Sequence, residues 1–266
     1  SLPCITIPLS AATCAGWTAL SNIYSKEGAF IKDISLEKCP DLLIFDHSFI
    51  RQAPPRTLAS GIADGLAKWY EASLSSSATT DGFVQQAVQM ARVLRDQLFI
   101  DGVAAFQDPT SDSWKRVIEA CGLTAGLIGG IGGSRCRTAA AHPIHNGITQ
   151  LNSSKKILHG ELVGFGILIQ LQLEESYMNN QLAKQARKQL IPFLRSLKLP
   201  LSLKDLGLDK IPTNNIKEAC KFTCDENPEI HLLPFSINHE ILFKTIINYE
   251  LSTKNYMENP IARSLN

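Results

Sequence analysis

The sequence predicts a mainly α-helical protein preceded by the last strands of an α/β sheet. Two observations carry this prediction. Residues 3–50 hold short β-rich runs separated by turn-like segments. Beyond Pro54-Pro55, apolar residues recur at helical spacing without a convincing strand. We therefore predict two domains, which comprise residues 1–50 and residues 51–266.

Four runs in the first domain are predicted to be strands. They are CITIPL, ALSNIY, AFIKDI and CPDLLIFD. The last is an uninterrupted apolar run between Pro40 and Asp46, which is typical of a strand buried on both faces. Such a strand needs more sheet than this domain supplies. We therefore expect the upstream part of the α/β domain to be missing from this chain, as the initial Ser1 also suggests.

Eight segments of the second domain are predicted to be helices. They begin near Arg56, Asp81, Ser111, Thr138, Gly160, Asn179, Asn214 and Ser236. In the first, Leu58, Ile62 and Leu66 recur at the spacing of one helix face. Asp81 is the predicted N-cap of the second, because its carboxylate can accept hydrogen bonds from the first free amides.

Composition and charge exclude several classes of protein. Hydrophobic residues make up 44% of the chain and charged residues 19%, which excludes a largely disordered protein. The net charge of +1 offers no basic excess for nucleic acid or an anionic membrane. The longest apolar stretch, 122–133, is shorter than the roughly 18 residues that span a bilayer. We expect neither nucleic acid nor a membrane as a partner.

The seven cysteines are odd in number and scattered along the chain. A secreted disulfide framework is normally even and dense, so we expect a reduced, cytoplasmic protein. Cys220 and Cys224 lie four residues apart and could share one helix face. We interpret them as small, partly buried residues, because no second cysteine pair completes a zinc site.

Asp64 is a candidate functional residue because it lies in the middle of a predicted helix, within GIADGLAKWYEA. Aspartate is a poor residue for a helix interior, since its side chain competes for the backbone. The small neighbours Gly61, Ala63 and Gly65 leave room for a ligand. An exposed aspartate or an internal N-cap is the alternative interpretation.

Three histidines lie in similarly small, apolar surroundings. His142 is within AAAHPIHNG, His145 follows it on the same predicted helix face, and His159 opens HGELVGFG. One aspartate and two histidines suit a divalent metal, because catalytic zinc sites combine three protein ligands with an open position. The spacing matches no short zinc signature, and each histidine could instead be a satisfied core residue.

The remaining histidines lack this setting. His47 follows a predicted strand end, and His231 and His239 lie late in the chain without small neighbours. We expect these three to lie at the surface or to form local hydrogen bonds.

Three segments, taken in order, carry a family resemblance. They are GIADGLAKWYEA, AAAHPIHNG and HGELVGFG. Together they resemble the glycerol dehydrogenase branch of the iron-containing alcohol dehydrogenase and dehydroquinate synthase-like superfamily. The resemblance covers nearly the whole chain. It implies that residues 1–50 are the C-terminal strands of an α/β (Rossmann-like) NAD-binding domain, and that residues 51–266 form an all-α metal-binding catalytic domain.

The resemblance implies a catalytic metal held by Asp64, His142 and His159. The related iron enzymes carry a further histidine one helical turn after the aspartate, where this chain has Lys68. Three protein ligands then remain, which favours Zn²⁺ over Fe²⁺. His145 matches a further family histidine, which the resemblance places behind the metal ligands.

The cofactor implied by the resemblance is NAD or NADP, and the sequence does not distinguish the two. The nicotinamide contacts of the family correspond to Leu9, Ser10, Ala11, Ala12, Thr18, Leu20 and Tyr24. The glycine-rich diphosphate loop of the family has no counterpart in this sequence. The resemblance also implies a homo-oligomer.

The substrate implied by the resemblance is a small polyol or hydroxy ketone. The family's substrate-binding aspartate is replaced by Cys14, a weak donor and acceptor, which puts glycerol in doubt. Arg135 and Arg137 precede His142 and would suit a carboxylate or phosphate. Two surface arginines are the alternative interpretation.

Three other functions stay open at this point. Cys14 and the arginines would suit a reductase of small 2-oxo acids. A lyase resembling dehydroquinate synthase is disfavoured, because such an enzyme is expected to carry Glu at position 64. A non-catalytic homologue is disfavoured by the intact ligand positions, although Cys14 keeps it open.

Overall fold

The structure is a computed structural model that describes residues 2–151 and 156–258. The four described strands are β1 (Ile5–Thr6), β2 (Leu20–Tyr24), β3 (Phe30–Ser35) and β4 (Leu42–Leu43). β1 pairs in parallel with β4, and β2 pairs with β3 as an antiparallel hairpin. Gly28 closes that hairpin with a φ of 86°, a conformation that residues with a side chain rarely adopt.

Each of the four predicted runs contains a strand, but the expected burial of the last run on both faces is wrong in this structure. β4 is only two residues long, and Leu42 and Ile44 are 49% and 41% exposed. The reason is that β4 pairs with β1 and with no other strand among the described residues.

The helices follow the strands, as the sequence predicts. They are α1 (His47–Ile50), α2 (Pro55–Ser75), α3 (Gly82–Gln107), α4 (Asp112–Glu119), α5 (Ala125–Gly132), α6 (Ala141–Ile148), α7 (His159–Met178), α8 (Gln181–Ser196), α9 (Thr213–Asp225) and α10 (His239–Glu258). Asp81 caps α3 as predicted, because its carboxylate accepts from the amides of Phe83 and Val84. The mainly α fold is confirmed.

α2 and α7 lie at the centre of the helical part and pack against each other. Both are buried over most of their length, which is typical of a core helix rather than an amphipathic surface helix. α3 and α6 cover them on further sides. The first turn of α7 is fixed by Glu161, whose carboxylate accepts from the amide of Leu158 at 2.8 Å.

Glycine allows α7 to start directly against α2. A Cβ at Gly160 would lie 1.8 Å from the carbonyl oxygen of Ser60, and the Gly160 amide donates to the Ser60 hydroxyl at 3.0 Å. Gly61 meets the β1–β2 connection just as closely, since a Cβ there would lie 1.9 Å from the Ala11 oxygen. Both contacts lie within one turn of Asp64. The small residues around it therefore bring α2, α7 and the β1–β2 connection together.

One helical stretch, Asp112–Cys136, is long and apolar enough by length and composition to cross a membrane, with a mean hydropathy of 1.3. It comprises α4, a π-helical turn (Ala120–Thr124), α5 and the 3-10 turn that follows. The expectation that no apolar stretch reaches this length is therefore wrong. Half of its most apolar window is buried, and it packs against α3, as a core helix of a soluble fold would.

Candidate metal centre

Asp64 lies in the middle of α2 and is only 3% exposed. It is therefore neither a surface residue nor a helix cap. The ammonium of Lys68, one turn later on the same helix, lies 3.8 Å from its Oδ1 atom. A buried carboxylate needs such partners, because desolvation of an unpaired charge is costly.

His142 reaches Asp64 from the N-terminus of α6. The first amides of this helix are held by side chains of two other helices, which replaces an ordinary N-cap. Glu71 on α2 accepts from the amides of Ala139 and His142, at 2.8 and 3.0 Å. Gln170 on α7 accepts from the two amides between them, those of Ala140 and Ala141, at 3.3 Å. The Nε2 atom of His142 consequently lies 3.2 Å from Asp64 Oδ1.

His159 is the first residue of α7, and its Nε2 atom lies 3.6 Å from Asp64 Oδ1. One ligand atom from each of Asp64, His142 and His159 falls within 4.8 Å of the others. The aspartate is buried, whereas both histidines are partly exposed. Three helices thus bring together the three residues that the sequence predicts as ligands.

The ring of His142 is oriented by Glu71, which sequence reasoning missed. Its Nδ1 atom hydrogen-bonds to Glu71 Oε2. Because a carboxylate accepts, this nitrogen carries a proton, and Nε2 is the nitrogen that faces the centre. Burial lowers the pKa of His142, but Glu71 and Asp64 raise it to about 9, so without a metal Nε2 also carries a proton, which it donates to Asp64. The signal in the sequence is the spacing, since Glu71 follows Asp64 by two helical turns and shares its face.

The ring of His159 is oriented by a chain of hydrogen bonds that begins at a backbone carbonyl. Asn227 donates to the oxygen of Phe222 at 3.1 Å, so its own Oδ1 accepts from Asn146 Nδ2 at 2.7 Å. Asn146 Oδ1 then accepts from His145 Nδ1 at 2.8 Å. The remaining nitrogen of His145 can only accept, and it lies 3.0 Å from His159 Nδ1. His159 Nε2 is therefore the nitrogen that faces Asp64 and the centre.

Two pKa shifts determine the charges of Asp64 and His145 near pH 7. Burial opposes ionisation of Asp64, but Lys68 and the hydrogen bonds from His142 and His159 hold its pKa well below the usual range. Burial, followed by the nearby His159 and His142, lowers the pKa of His145 well below its usual value. Asp64 is thus anionic and His145 neutral near pH 7, as the hydrogen-bond chain requires.

These residues fit a divalent metal ion. One carboxylate and two imidazole nitrogens are the usual donors of catalytic zinc. Histidine ligands commonly donate their second ring nitrogen to a carboxylate or another fixed acceptor, as His142 and His159 do here. Burial lowers the pKa of Lys68, but Asp64 and Cys14 raise it overall. Lys68 is therefore protonated and is a poor metal ligand, because an ammonium has no lone pair.

The residues implied to contact the cofactor lie on the β1–β2 connection and on β2. Ala11 is buried against α2, and the ring of Tyr24 meets that of His145 edge-on at 6.5 Å between centroids. Leu9 is exposed. Ser10, Ala12, Thr18 and Leu20 are partly buried. The structure thus places Ala11 and Tyr24 beside the helices of the centre, and the roles of all seven residues stay predictions.

The two predicted arginines differ in their surroundings. Arg135 is exposed, and its backbone oxygen accepts from Ser75 and Ser76 at the end of α2. Arg137 is partly buried, and its charge acts on both Cys14 and Lys68. The surface interpretation therefore describes Arg135, whereas Arg137 belongs to the neighbourhood of the centre.

The other histidines and the cysteine pair are as expected. His47 lies 3.2 Å from Glu119, His231 hydrogen-bonds to the oxygen of Cys224, and His239 is exposed at the start of α10. Cys220 and Cys224 are both buried on α9. Burial raises the pKa of both thiols, which keeps them in the unreactive protonated form.

No protein-family model matches the chain. An uncharacterized oxidoreductase of Synechocystis is 51% identical over 243 residues, which cover 91% of this chain and 63% of that protein. Glycerol dehydrogenase of Citrobacter freundii is 32% identical over 259 residues, which cover 94% of this chain and 68% of that protein. The crystal structure of glycerol dehydrogenase from Schizosaccharomyces pombe matches with a TM-score of 0.84 at 27% identity, over 97% of this chain and 65% of that chain.

A mainly helical fold behind a few strands, with an aspartate and two histidines meeting between its helices, defines a candidate metal-dependent enzyme domain. The similarity to glycerol dehydrogenases extends over nearly the whole chain. The chain belongs to the glycerol dehydrogenase family. It spans 63% to 70% of the length of the curated relatives from Synechocystis, Citrobacter freundii and Pseudomonas putida.

Proposed function

We propose that the protein is a metal-dependent oxidoreductase that transfers a hydride between NAD(P) and a small polyol or hydroxy ketone. The observation that carries the proposal is the convergence of Asp64, His142 and His159 within 4.8 Å. The relative named glycerol dehydrogenase supports the substrate class.

The proposed metal is Zn²⁺ rather than Fe²⁺. The position one turn after Asp64 holds the ammonium of Lys68, which offers no lone pair while it is protonated. Three protein donors remain, as in catalytic zinc sites. When bound, the ion supplies Lewis-acid polarisation of a substrate oxygen.

The protein's own residues hold and tune this centre. Asp64 contributes the single negative charge among the ligands. Glu71 keeps the proton of His142 on Nδ1, and His145 does the same for His159. Both histidines therefore present Nε2 to the centre, where a metal would replace their contacts with Asp64.

The nicotinamide cofactor accepts or supplies the hydride when bound. We assign its contacts in this chain to the β1–β2 connection and β2. The residues are Leu9, Ser10, Ala11, Ala12, Thr18, Leu20 and Tyr24. The packing of Ala11 on α2 and of Tyr24 on His145 supports this, because it brings the segment to the metal centre. Cys14, at the start of the 3-10 turn Ala15–Trp17, is the proposed substrate contact.

The wider organisation is part of the proposal. Residues 1–50 belong to the NAD-binding domain and residues 51–266 to the metal domain, with the site between them. A homo-oligomer is expected from the family. The free cysteines, which form no disulfide among the described residues, support a reduced cytoplasmic compartment.

The test is an assay of the complete protein with glycerol, 1,2-propanediol and hydroxyacetone, each with NAD(H) and NADP(H). We expect turnover that a chelator abolishes and Zn²⁺ restores. His142→Ala should remove it, whereas His239→Ala, at an exposed histidine, should not. No turnover on any substrate, with metal and nucleotide both shown to be bound, would contradict the proposal.

A further inference from the structure

A group of hydrogen-bond donors beside the metal centre has no part in the hydride transfer proposed above. It consists of Trp17, Lys68 and Arg137 and is called the donor cluster below. Trp17 ends the 3-10 turn that Cys14 begins, Lys68 lies on α2, and Arg137 follows the 3-10 turn after α5.

Two glycines of α5 hold two members of the cluster side by side. A Cβ at Gly126 would lie 2.6 Å from the indole nitrogen of Trp17. A Cβ at Gly129 would lie 3.0 Å from Cγ and 3.1 Å from Cδ of Arg137. Because residues three apart share a helix face, Trp17 and Arg137 lie on the same face of α5.

Both of these residues present buried donors without an acceptor. The indole Nε1 of Trp17 and the Nε of Arg137 are buried and have no hydrogen-bond partner among the described residues. An unmade hydrogen bond of this kind is costly, and buried polar groups are normally satisfied. Neither atom can accept a hydrogen bond, so the missing partner is an acceptor.

The charges around the cluster favour an anion. The Lys68 ammonium lies 3.8 Å from Asp64 Oδ1, and the charges of Glu71 and Arg137 also act on it. The two carboxylates, Asp64 and Glu71, are balanced by the two cations before any metal is bound. A divalent ion then leaves two uncompensated positive charges.

Cys14 lies near the same charges and adds no negative charge of its own. Burial raises the pKa of the Cys14 thiol, so the position is neutral. The site therefore lacks the negative charge that would oppose a carboxylate.

We propose that Arg137 and Trp17, supported by the charge of Lys68, bind a substrate carboxylate, so that the enzyme interconverts small 2-hydroxy and 2-oxo acids in addition to the neutral substrates proposed above. The inference rests on the proposed hydride transfer and names its substrate class. In the reduction, the ketone carbon gains a hydride from NAD(P)H and its oxygen gains a proton from solvent. NAD(P)⁺ is released and the carboxylate is unchanged.

The test compares two substrates of the complete protein that differ at one end. Pyruvate carries a carboxylate where hydroxyacetone carries a neutral hydroxymethyl group. Arg137→Gln and Trp17→Phe each remove a donor, and Arg135→Gln is the matched control, because Arg135 is exposed nearby. We expect Arg137→Gln to raise KM for pyruvate about 10- to 100-fold, the usual loss for a hydrogen bond to a charged group, while KM for hydroxyacetone changes little.

Trp17→Phe should raise KM for pyruvate in the same selective way, and it serves if Arg137→Gln does not fold. Arg135→Gln should change KM for neither substrate. As a readout independent of turnover, oxamate, a pyruvate analogue, should raise the melting temperature of the wild type and of Arg135→Gln, but not that of Arg137→Gln.

Equal effects of Arg137→Gln and Trp17→Phe on both substrates, or no effect on pyruvate, would overturn the carboxylate site and leave the hydride transfer intact. No turnover of either substrate with either nucleotide would overturn the proposed function. In that case, selective loss of oxamate binding in Arg137→Gln would still support the carboxylate site.

Discussion

At the scale of single residues, the metal centre depends on groups that do not bind the metal. Glu71 and His145 each fix the proton of one histidine ligand. Behind His145, the amides of Asn146 and Asn227 have defined orientations, because the last one donates to a backbone oxygen. The two histidine rings at the centre are therefore oriented by contacts among α2, α6, α7 and the segment that follows α9.

His145→Leu should lower zinc affinity about 10- to 100-fold, the usual effect of losing a group that orients a histidine ligand. The reason is that His159 Nδ1 loses its acceptor and the ring can then adopt the other tautomer. Competition with a chromophoric chelator measures the affinity. His231→Leu, which removes only a local bond to the Cys224 oxygen, is the control. Equal zinc affinity in His145→Leu and the wild type would contradict the role given to His145.

The sequence was sufficient to predict which three residues converge, but not the residues that orient them. Asp64 stood out because an aspartate between glycines is unusual in a helix, and the family resemblance connected it to His142 and His159. Asn227 carries no such signal, since it lies 81 residues from its partner Asn146 and meets it only in the folded chain.

At the scale of elements, the centre depends on how closely α7 approaches α2. The approach occurs at Gly160, beside His159, where the backbone of Ser60 leaves no room for a side chain. The two helices that carry a histidine and the aspartate are thereby held at a fixed separation.

Gly160→Ala should destabilise the protein by about 1–3 kcal/mol, as overpacking of a well-packed core does. It should also weaken zinc binding, because the added Cβ would lie 1.8 Å from the Ser60 oxygen and must push α7 away. Urea unfolding and metal analysis measure the two effects.

Gly130→Ala is the matched control, since a Cβ on that helical glycine meets nothing within 4 Å. It should be neutral or stabilising by about 0.5–1 kcal/mol, because alanine favours a helix over glycine. Equal behaviour of the two variants would show that the approach of α7 to α2 does not constrain the centre.

The elements were predictable where local chemistry determines them. Asp81 predicts the start of α3 because the cap involves only neighbouring amides. The start of α6 was not predictable, since its amides are satisfied by Glu71 and Gln170 from other helices. The exposure of β4 likewise depends on which strands pair with it, and no local pattern reports that.

At the scale of the whole molecule, one buried carboxylate ties overall stability to pH. Glu174 on α7 is buried beside Gln170 and Asn180. Burial raises its pKa to about 7, against the hydrogen bonds from these two amides. The folded protein therefore retains a proton that the unfolded chain releases above the ordinary glutamate pKa of 4.5.

Stability should consequently fall as the pH rises from about 4.5 to 7, by about 3 kcal/mol in total, because the folded state binds the extra proton over that range. Glu174→Gln removes this titration, so its free energy of unfolding relative to the wild type should increase between pH 5 and pH 8. Urea unfolding at several pH values measures the difference.

Glu175→Gln is the neighbouring control. Burial opposes ionisation of Glu175, but Arg187 and Lys184 lower its pKa. The stabilisation that ionised Glu175 provides is fully present above the pKa of this group in the unfolded chain. Glu175→Gln should therefore not become more stable relative to the wild type as the pH rises. The same pH response in both variants would mean that Glu174 does not hold the proton.

The fold class and the family were predictable from the sequence as a whole, because helical spacing and three ordered segments extend over most of the chain. The substrate was not. Arg135 and Arg137 are two residues apart and alike in sequence, and only their packing shows that one is exposed and the other partly buried within electrostatic reach of Lys68.

The central claim is that Asp64, His142 and His159 hold one zinc ion. Metal analysis of the purified complete protein tests it most directly, in the wild type, in His159→Ala and in His239→Ala. We predict about one zinc per chain in the wild type and in His239→Ala, as a site with three protein donors requires, and loss of the zinc in His159→Ala. Zinc retained at the wild-type level in a folded His159→Ala protein would contradict the claim.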